Sequence, residues 1–531
     1  MLLDGRTFSA ESQLQAQTCI VGTGMGALSV ARVLIETGVD VLLIEAGPVT
    51  ATRREPSAIE VENVGSSFRL HTSRGLEAGG GTALWHGICA QLDDIDFQKR
   101  AWVPHSGWPV SSNELAPYYR KAWKLLCGGD RSSDPGVAAG LAQQPEVADK
   151  LRSKVYQFLS PPFRGKDLLL NWCRQGRTRC VVHAVALKLV QDEAGRAQQL
   201  IVGSGERTFS VKADMFIVAA GALETPRLLL NSQTGFESGP GKNLWWLGRN
   251  LMDHPAAYLS QVVYHEPIAG HLFSGFDIGN GVKALPGYII KNEEQHKHRL
   301  PNQAIFIRPG LDERKVPNPD LMSFLGIRGI RDLQWSHLKS LLSHRYVRWR
   351  VAHQRFQLDC RTRYGDLFFM TEQLPNPESR VDLSTQKRDR YGYPVARIDW
   401  QLSGEDVESF GRTLDLVMGS MGRHPRIKSI RKDKAEDWLD SLTSAAHHLG
   451  TARMGRSPAD GVVDVNLKVF GTKNVWVCDG SVFPTAGSVN PSLTICALGH
   501  RLADHILAEN SAILRKAGLF EESMLEQTPA C

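Results

Sequence analysis

The sequence predicts an α/β fold in two parts: a Rossmann-like dinucleotide-binding domain and a second, mainly antiparallel α+β domain. Three observations predict it. A strand, a glycine-rich turn, a helix and a second strand ending in an acid follow one another up to Glu45. From about residue 260 to 440 that rhythm gives way to short strand-like runs. The chain then returns to the first pattern and carries a helix start at Asn490-Pro491. The expected division is therefore residues 1–259, 260–439 and 440–531, the first and last forming one domain. A chain of 531 residues is too long for one simple core, so two domains sharing a cleft are expected.

The N-terminal unit can be justified residue by residue. Thr18–Val21 is a short apolar run that reads as a strand, and Gly22-Thr-Gly24-Met-Gly26-Ala27 follows it. Gly22 permits the tight turn, Gly24 lets the backbone approach a pyrophosphate, and the small Ala27 allows helix to pack on strand. Leu28–Thr37 reads as helix, whose N-terminus favours phosphate charge, and Val41–Ile44 as the second strand. Glu45 stands where a carboxylate bonds ribose hydroxyls and disfavours a 2′-phosphate. This unit alone fits FAD and NAD equally.

Further along, Ser111–Trp123 opens with cap-type residues and continues with helical spacing. Residues 127–165 are richer in Gly, Ser and Pro and read as a mobile excursion able to cover the cleft. Cys180–Val190 and Met215–Ala220 read as strands, as do the shorter Phe368–Gln373 and Val395–Trp400. His337–Arg363 carries seven Lys/Arg against one Asp, and reads as a basic surface helix or as a face for an electron-accepting partner, an anionic substrate or a membrane.

Composition excludes several classes. Hydrophobic content of 42% and charge of 22% are globular values. Net charge +6 is mild, and no nucleic-acid-binding pattern accompanies it. Nine cysteines without CxxC spacing read as reduced thiols. No apolar run reaches the roughly 18 residues of a membrane span, and the first residues lack a signal peptide's basic and apolar regions, so the expected location is cytoplasmic. His500 and His505 lie on one helix without accompanying ligands, so no metal is expected.

The later motifs carry a resemblance. Gly79-Gly-Gly81-Thr82-Ala-Leu-Trp85-His86-Gly87, Gly221–Ser232, Leu247–Pro255, Leu374–Val381, His447-His448-Leu-Gly-Thr-Ala-Arg-Met-Gly455, Asp479-Gly480 and Asn490-Pro491-Ser-Leu-Thr494 occur in this order. Together they resemble the glucose–methanol–choline (GMC) family of FAD-dependent oxidoreductases, with most similarity to its bacterial sugar-oxidising and pyranose-oxidase-like members. The resemblance implies an FAD-binding Rossmann-like domain, and oxidation of an alcohol of a sugar, glycoside, cyclitol or similar polyol by hydride transfer to flavin N5. It assigns His447 as the base and Asn490 as its catalytic neighbour. It assigns Gly81, Thr82, Trp85, His86, Val182, Ala220, Asp479, Gly480, Asn490, Pro491 and Thr494 to the cofactor, beside Gly22, Gly24, Gly26, Ala27 and Glu45. A redox-neutral lyase of the same family is the alternative.

Histidine suits the base because its pKa lies near ambient pH. Asn490-Pro491 is also a good helix start by itself, a cap residue followed by proline. His448 stands where the family varies and reads as a packing residue, and His254 as part of a structural turn. Two departures matter. Leu84 occupies the position of the histidine through which some pyranose oxidases attach FAD, so non-covalent FAD is expected. His86 stands where relatives place a smaller group beside flavin N5, and burial against Leu84 and Trp85 would keep it neutral. That favours a dehydrogenase over an oxidase, with the electron acceptor, quinone-like, protein or oxygen, left open.

Overall fold

The computed structural model describes residues 1–51, 59–65, 73–131, 149–232, 244–268, 275–310, 335, 361–432 and 442–516, with side chains as far as residue 509. His71 and all but the last three residues of the basic stretch 337–363 lie outside the described residues.

The first sheet has eight strands. Leu2–Asp4, Arg179–Val182, Val41–Ile44, Gln13–Val21 and Arg207–Val218 lie side by side in that order and pair in parallel. Antiparallel strands Ala197–Ser204 and Val185–Gln191 extend it. Gln13–Val21 ends in four buried residues and Val41–Ile44 is buried throughout, the signature of strands covered on both faces. The helix Met25–Glu36 crosses between them, buried along Ala27, Leu28, Val30, Ala31 and Leu34. Near the C-terminus, Val475–Val477 pairs in parallel with Phe216–Val218, so the last segment of the chain completes the sheet that the first segment began.

Cys180–Val190 is two strands rather than one. The break falls at His183, whose φ is 55°, and its amide donates to the carbonyl of Gly47 at 3.0 Å. There the chain leaves its parallel partner Val41–Ile44 and turns to pair antiparallel with Ala197–Ser204.

The second sheet is antiparallel. Val282–Ile290, Gln303–Pro309, Thr362–Thr371, Pro255–Ile268 and Ile427–Lys432 follow one another across it, and Phe276–Asp277 and Thr443–Ser444 add short edges. Leu151–Leu159 pairs with Val282–Ile290 over its whole length. That corrects the reading of 127–165 as one mobile excursion, because nine residues in a regular ladder are fixed. Residues 132–148 of that stretch lie outside the described ones. The helix Gly404–Met421, capped by a Ser403–Asp406 box, packs Phe410, Leu414 and Val417 on this sheet. A third, three-stranded sheet joins Arg380–Arg388, Pro394–Asp399 and Val61–Asn63.

Two helices close the first domain. Ser112–Cys127 starts on a Ser111–Glu114 capping box, and Ser492–Lys516 is the long C-terminal helix. Tyr119 and Thr494 join them through their hydroxyls at 2.9 Å. No described helix is long and apolar enough to cross a membrane. The seven cysteines among the described residues are free and buried.

Candidate active site

Four loops converge where the two sheets meet. Residues 450–454 run beside 480–482, with Gly450 N donating to Gly480 O at 3.1 Å, Ala452 N to Ser481 O at 2.8 Å and Met454 N to Val482 O at 2.8 Å. Leu449 and Met252 exchange both backbone bonds, at 2.9 and 3.0 Å. This brings His447 against Asp253 and His254, from a segment nearly two hundred residues earlier.

The geometry there is specific. Asp253 accepts the backbone amides of His254 at 2.6 Å and His447 at 2.9 Å, and the hydroxyl of Ser444. His447 Nδ1 lies 2.9 Å from His254 Nδ1. His447 Nε2 lies 3.1 Å from the side-chain amide nitrogen of Asn490. Desolvation, then the neighbouring rings of His254, His448 and His86, hold the His447 pKa well below the usual histidine value. His448 is pushed down to about 3 by burial and Arg74. Burial raises Asp253 to about 6.

His254 is a correction to the sequence reading. It is a fully buried partner of His447, not only a turn residue. Its signal was the Asp253-His254-Pro255 block, but the block does not reveal what the ring faces. His86 departs from the expected burial against Leu84 and Trp85: it is exposed. Its ring nevertheless lies close enough to His447 to disfavour charge there.

Asn490 serves more than the helix start. The first backbone bond of the C-terminal helix runs from Ile495 N to Pro491 O at 2.9 Å, while the Asn490 amide faces His447. Pro491 is buried, and the buried Thr494 contacts Tyr119.

The glycine turns fit a dinucleotide. Gly22 has φ +96°, and a Cβ on it would meet the carbonyl oxygen of Ala219 at 2.3 Å. Gly24 caps the helix Met25–Glu36, and a Cβ there would meet no protein atom within 4 Å. The same holds at Gly81 and at Gly221, the residue after Ala220. These open backbone faces, one at a helix N-terminus, suit close approach of a phosphate-bearing chain. The closest helix packing falls at Gly26, where a Cβ would meet the carbonyl oxygen of Cys478 at 1.8 Å; Ala27 beside it is fully buried.

Glu45 is buried at the strand end, accepts the Thr23 hydroxyl and the Gly47 amide, the latter at 2.9 Å, and is raised by burial to about 7. Thr23 in turn accepts the Gly79 amide at 3.0 Å, tying the first turn to the loop that carries Gly81 and Thr82. Thr82 is buried and accepts Gly165 N at 2.9 Å. Trp85 donates its indole N–H to Phe163 O at 2.8 Å. Asp479 accepts Gly221 N at 2.8 Å, Thr225 Oγ1 at 2.6 Å and Ser481 N at 2.8 Å, which joins the second signature to the 479–482 turn. A Cβ on Gly480 would meet His448 O at 2.7 Å. Val182 is buried at the end of its strand, beside the Glu45 strand. Among the described residues no group of three His, Cys, Asp or Glu could hold a metal.

The chain is similar to known proteins along most of its length. Sequence profiles described as GMC oxidoreductase match residues 166–256 and 375–499. The chain is 23% identical to the 2-methyl-1,2-propanediol dehydrogenase of Mycolicibacterium austroafricanum, over 94% of this chain and 96% of that one. It is 25% identical to the 6'''-hydroxyparomomycin C oxidase of Streptomyces lividus, over 93% and 92%. Its fold matches the crystal structure of pyridoxine 4-oxidase from Mesorbium loti with a TM-score of 0.57 at 17% identity, covering 93% of this chain and 99% of the other.

Proposed function

The chain belongs to the GMC oxidoreductase family, whose members are dehydrogenases and oxidases acting on CH–OH groups, and we propose that it oxidises an alcohol of a sugar, glycoside, cyclitol or similar polyol to a carbonyl with non-covalent FAD. The observation that carries this reading is the pair His447 and Asn490, in contact across the start of the C-terminal helix. Relatives named for a diol and for an aminoglycoside support a polyol as substrate.

Gly24 with the helix N-terminus would hold the pyrophosphate in a turn that Gly22 and Gly26 allow, Glu45 the ribose, and Gly81, Thr82, Gly221 and Asp479 the flavin side. The chemistry that bound FAD supplies is two-electron acceptance of the carbinol hydride at N5. His447 Nε2 takes the hydroxyl proton, and the Asn490 amide N–H donates to the oxygen as negative charge grows on it. The O–H bond breaks with its proton going to His447, the carbinol C–H bond breaks with its electron pair leaving as hydride, the carbon–oxygen double bond forms, and the proton stays on His447 until it passes to solvent. His86 lies near enough to His447 to disfavour charge on it, which helps keep the base neutral.

The test is an anaerobic screen of hexoses, methyl glycosides, inositols, aminoglycosides and vicinal diols. Stoichiometric loss of the oxidised flavin spectrum with at least one of them is expected. Turnover with no bleaching would favour the redox-neutral lyase. A second prediction concerns the cofactor. Leu84 offers no nucleophile where some relatives attach FAD, so acid precipitation should release all yellow colour as FAD. Flavin retained in the denatured pellet would contradict it.

A further inference from the structure

We propose that His254 is a positioning residue that fixes the tautomer of His447, keeping the proton on Nδ1 and the lone pair on Nε2. The inference rests on the reading of His447 as the base. Gly487 O can only accept, so the His254 Nε2 that lies 2.9 Å from it carries the hydrogen. A neutral His254 then presents a lone pair at Nδ1. The only hydrogen available to the 2.9 Å contact between the two Nδ1 atoms is the one on His447. The remaining nitrogen of His447, Nε2, is left without a hydrogen and faces the N–H of Asn490 at 3.1 Å. One carbonyl therefore sets two rings in sequence.

The parts of this relay are held from several elements. Asp253 grips the backbone amides of both histidines. The Asp253 amide itself donates to Gln373 at 2.9 Å. The Gly487 amide donates to Glu372 at 3.2 Å, and Glu372 is paired bidentately with Arg100 at 2.7 and 2.6 Å, both side chains fully buried. The carbonyl at the head of the relay is thus anchored to the second sheet by a buried ion pair. The two imidazole rings meet edge to face, their centroids 5.1 Å apart at 83°, a packing that leaves the Nδ1 atoms opposed. Among the described residues, the charged or titratable groups facing the relay are Asp253 at the backbone of both histidines, Glu372 on the His254 side, and His448 and His86 on the His447 side. Desolvation is the largest influence on both rings and favours their neutral forms, as the relay requires. With the wrong tautomer, Nε2 would present a hydrogen to the substrate hydroxyl and could not act as a base.

The experiment uses the FAD-loaded enzyme labelled with 15N-histidine, comparing wild type, His254→Gln and His254→Leu. Glutamine can donate its amide to Gly487 O and accept from His447 Nδ1, whereas leucine fills space and does neither. The His447 signals are assigned by their loss in His447→Gln. In wild type and His254→Gln, His447 should show a protonated Nδ1 and an unprotonated Nε2. In His254→Leu, the hydrogen should move wholly or partly to Nε2. With the polyol that bleaches the flavin fastest, anaerobic reduction should slow by about 10²-fold in His254→Leu and recover to within about tenfold of wild type in His254→Gln. A hydrogen on Nε2 in wild type, or the wild-type tautomer in His254→Leu, would overturn the proposal. If His254→Leu does not hold FAD, the wild-type and His254→Gln spectra still decide it. The tautomer is read without turnover, so it stands apart from the assignment of His447 as base, which fails separately if His447→Ala reduces its flavin at the wild-type rate.

Discussion

His447 reaches neutral pH already deprotonated. Burial and the rings of His254, His448 and His86 hold its pKa well below about 6.5. A base whose pKa is lowered stays competent above that value and fails only as pH falls through it. Flavin reduction should therefore be level from pH 8 down to about 6.5 and decline at lower pH. A midpoint above neutrality would contradict the assignment. Asn490→Ala should slow reduction by about tenfold, the worth of one hydrogen bond of roughly 1.4 kcal/mol, and so less than loss of the base. His447 and Asn490 were legible in the sequence because each sits in a short motif. His254 was visible as a residue but not as a partner, since what its ring meets depends on a loop carrying His447 far along the chain. The burial of His86 expected from Leu84 and Trp85 is not seen, because adjacent apolar residues do not determine which way a loop side chain turns.

At the scale of elements, two glycines two residues apart separate fold from cofactor binding. Gly24 has open space where a Cβ would stand, while at Gly26 a Cβ would sit 1.8 Å from Cys478 O. Gly24→Val should give folded protein that purifies without FAD. Gly26→Val should destabilise the fold itself, because the backbone at Cys478, just after the strand Val475–Val477, would have to move. Thermal unfolding and flavin absorbance check the pair; a yellow Gly24→Val protein would remove that turn from the pyrophosphate site. The first βαβ unit, the capped helix at Ser112 and the strands around 368 and 395 were legible, since local periodicity and caps define them. The break at His183 was not, because one histidine within a largely apolar run does not reveal a switch of pairing partner.

Across the whole molecule, the site is made by bringing together segments from both ends and the middle of the chain. The first turn, the loop at 79–86, residues 253–254 and the segments around 447, 479 and 490 come from distant parts of the chain that the two large sheets hold together. The α/β class and the antiparallel character of the second sheet were readable from pattern. The membership of Leu151–Leu159 in that sheet was not, because a strand's sequence does not name its distant partner. The central claim is that this assembly is an alcohol-oxidising site with His447 as its base. Its most direct test is anaerobic stopped-flow reduction of FAD-loaded wild type and His447→Ala by the most reactive polyol. The account predicts that His447→Ala keeps its FAD and reduces it slower by a factor of about 10² or more. Reduction at the wild-type rate would contradict it.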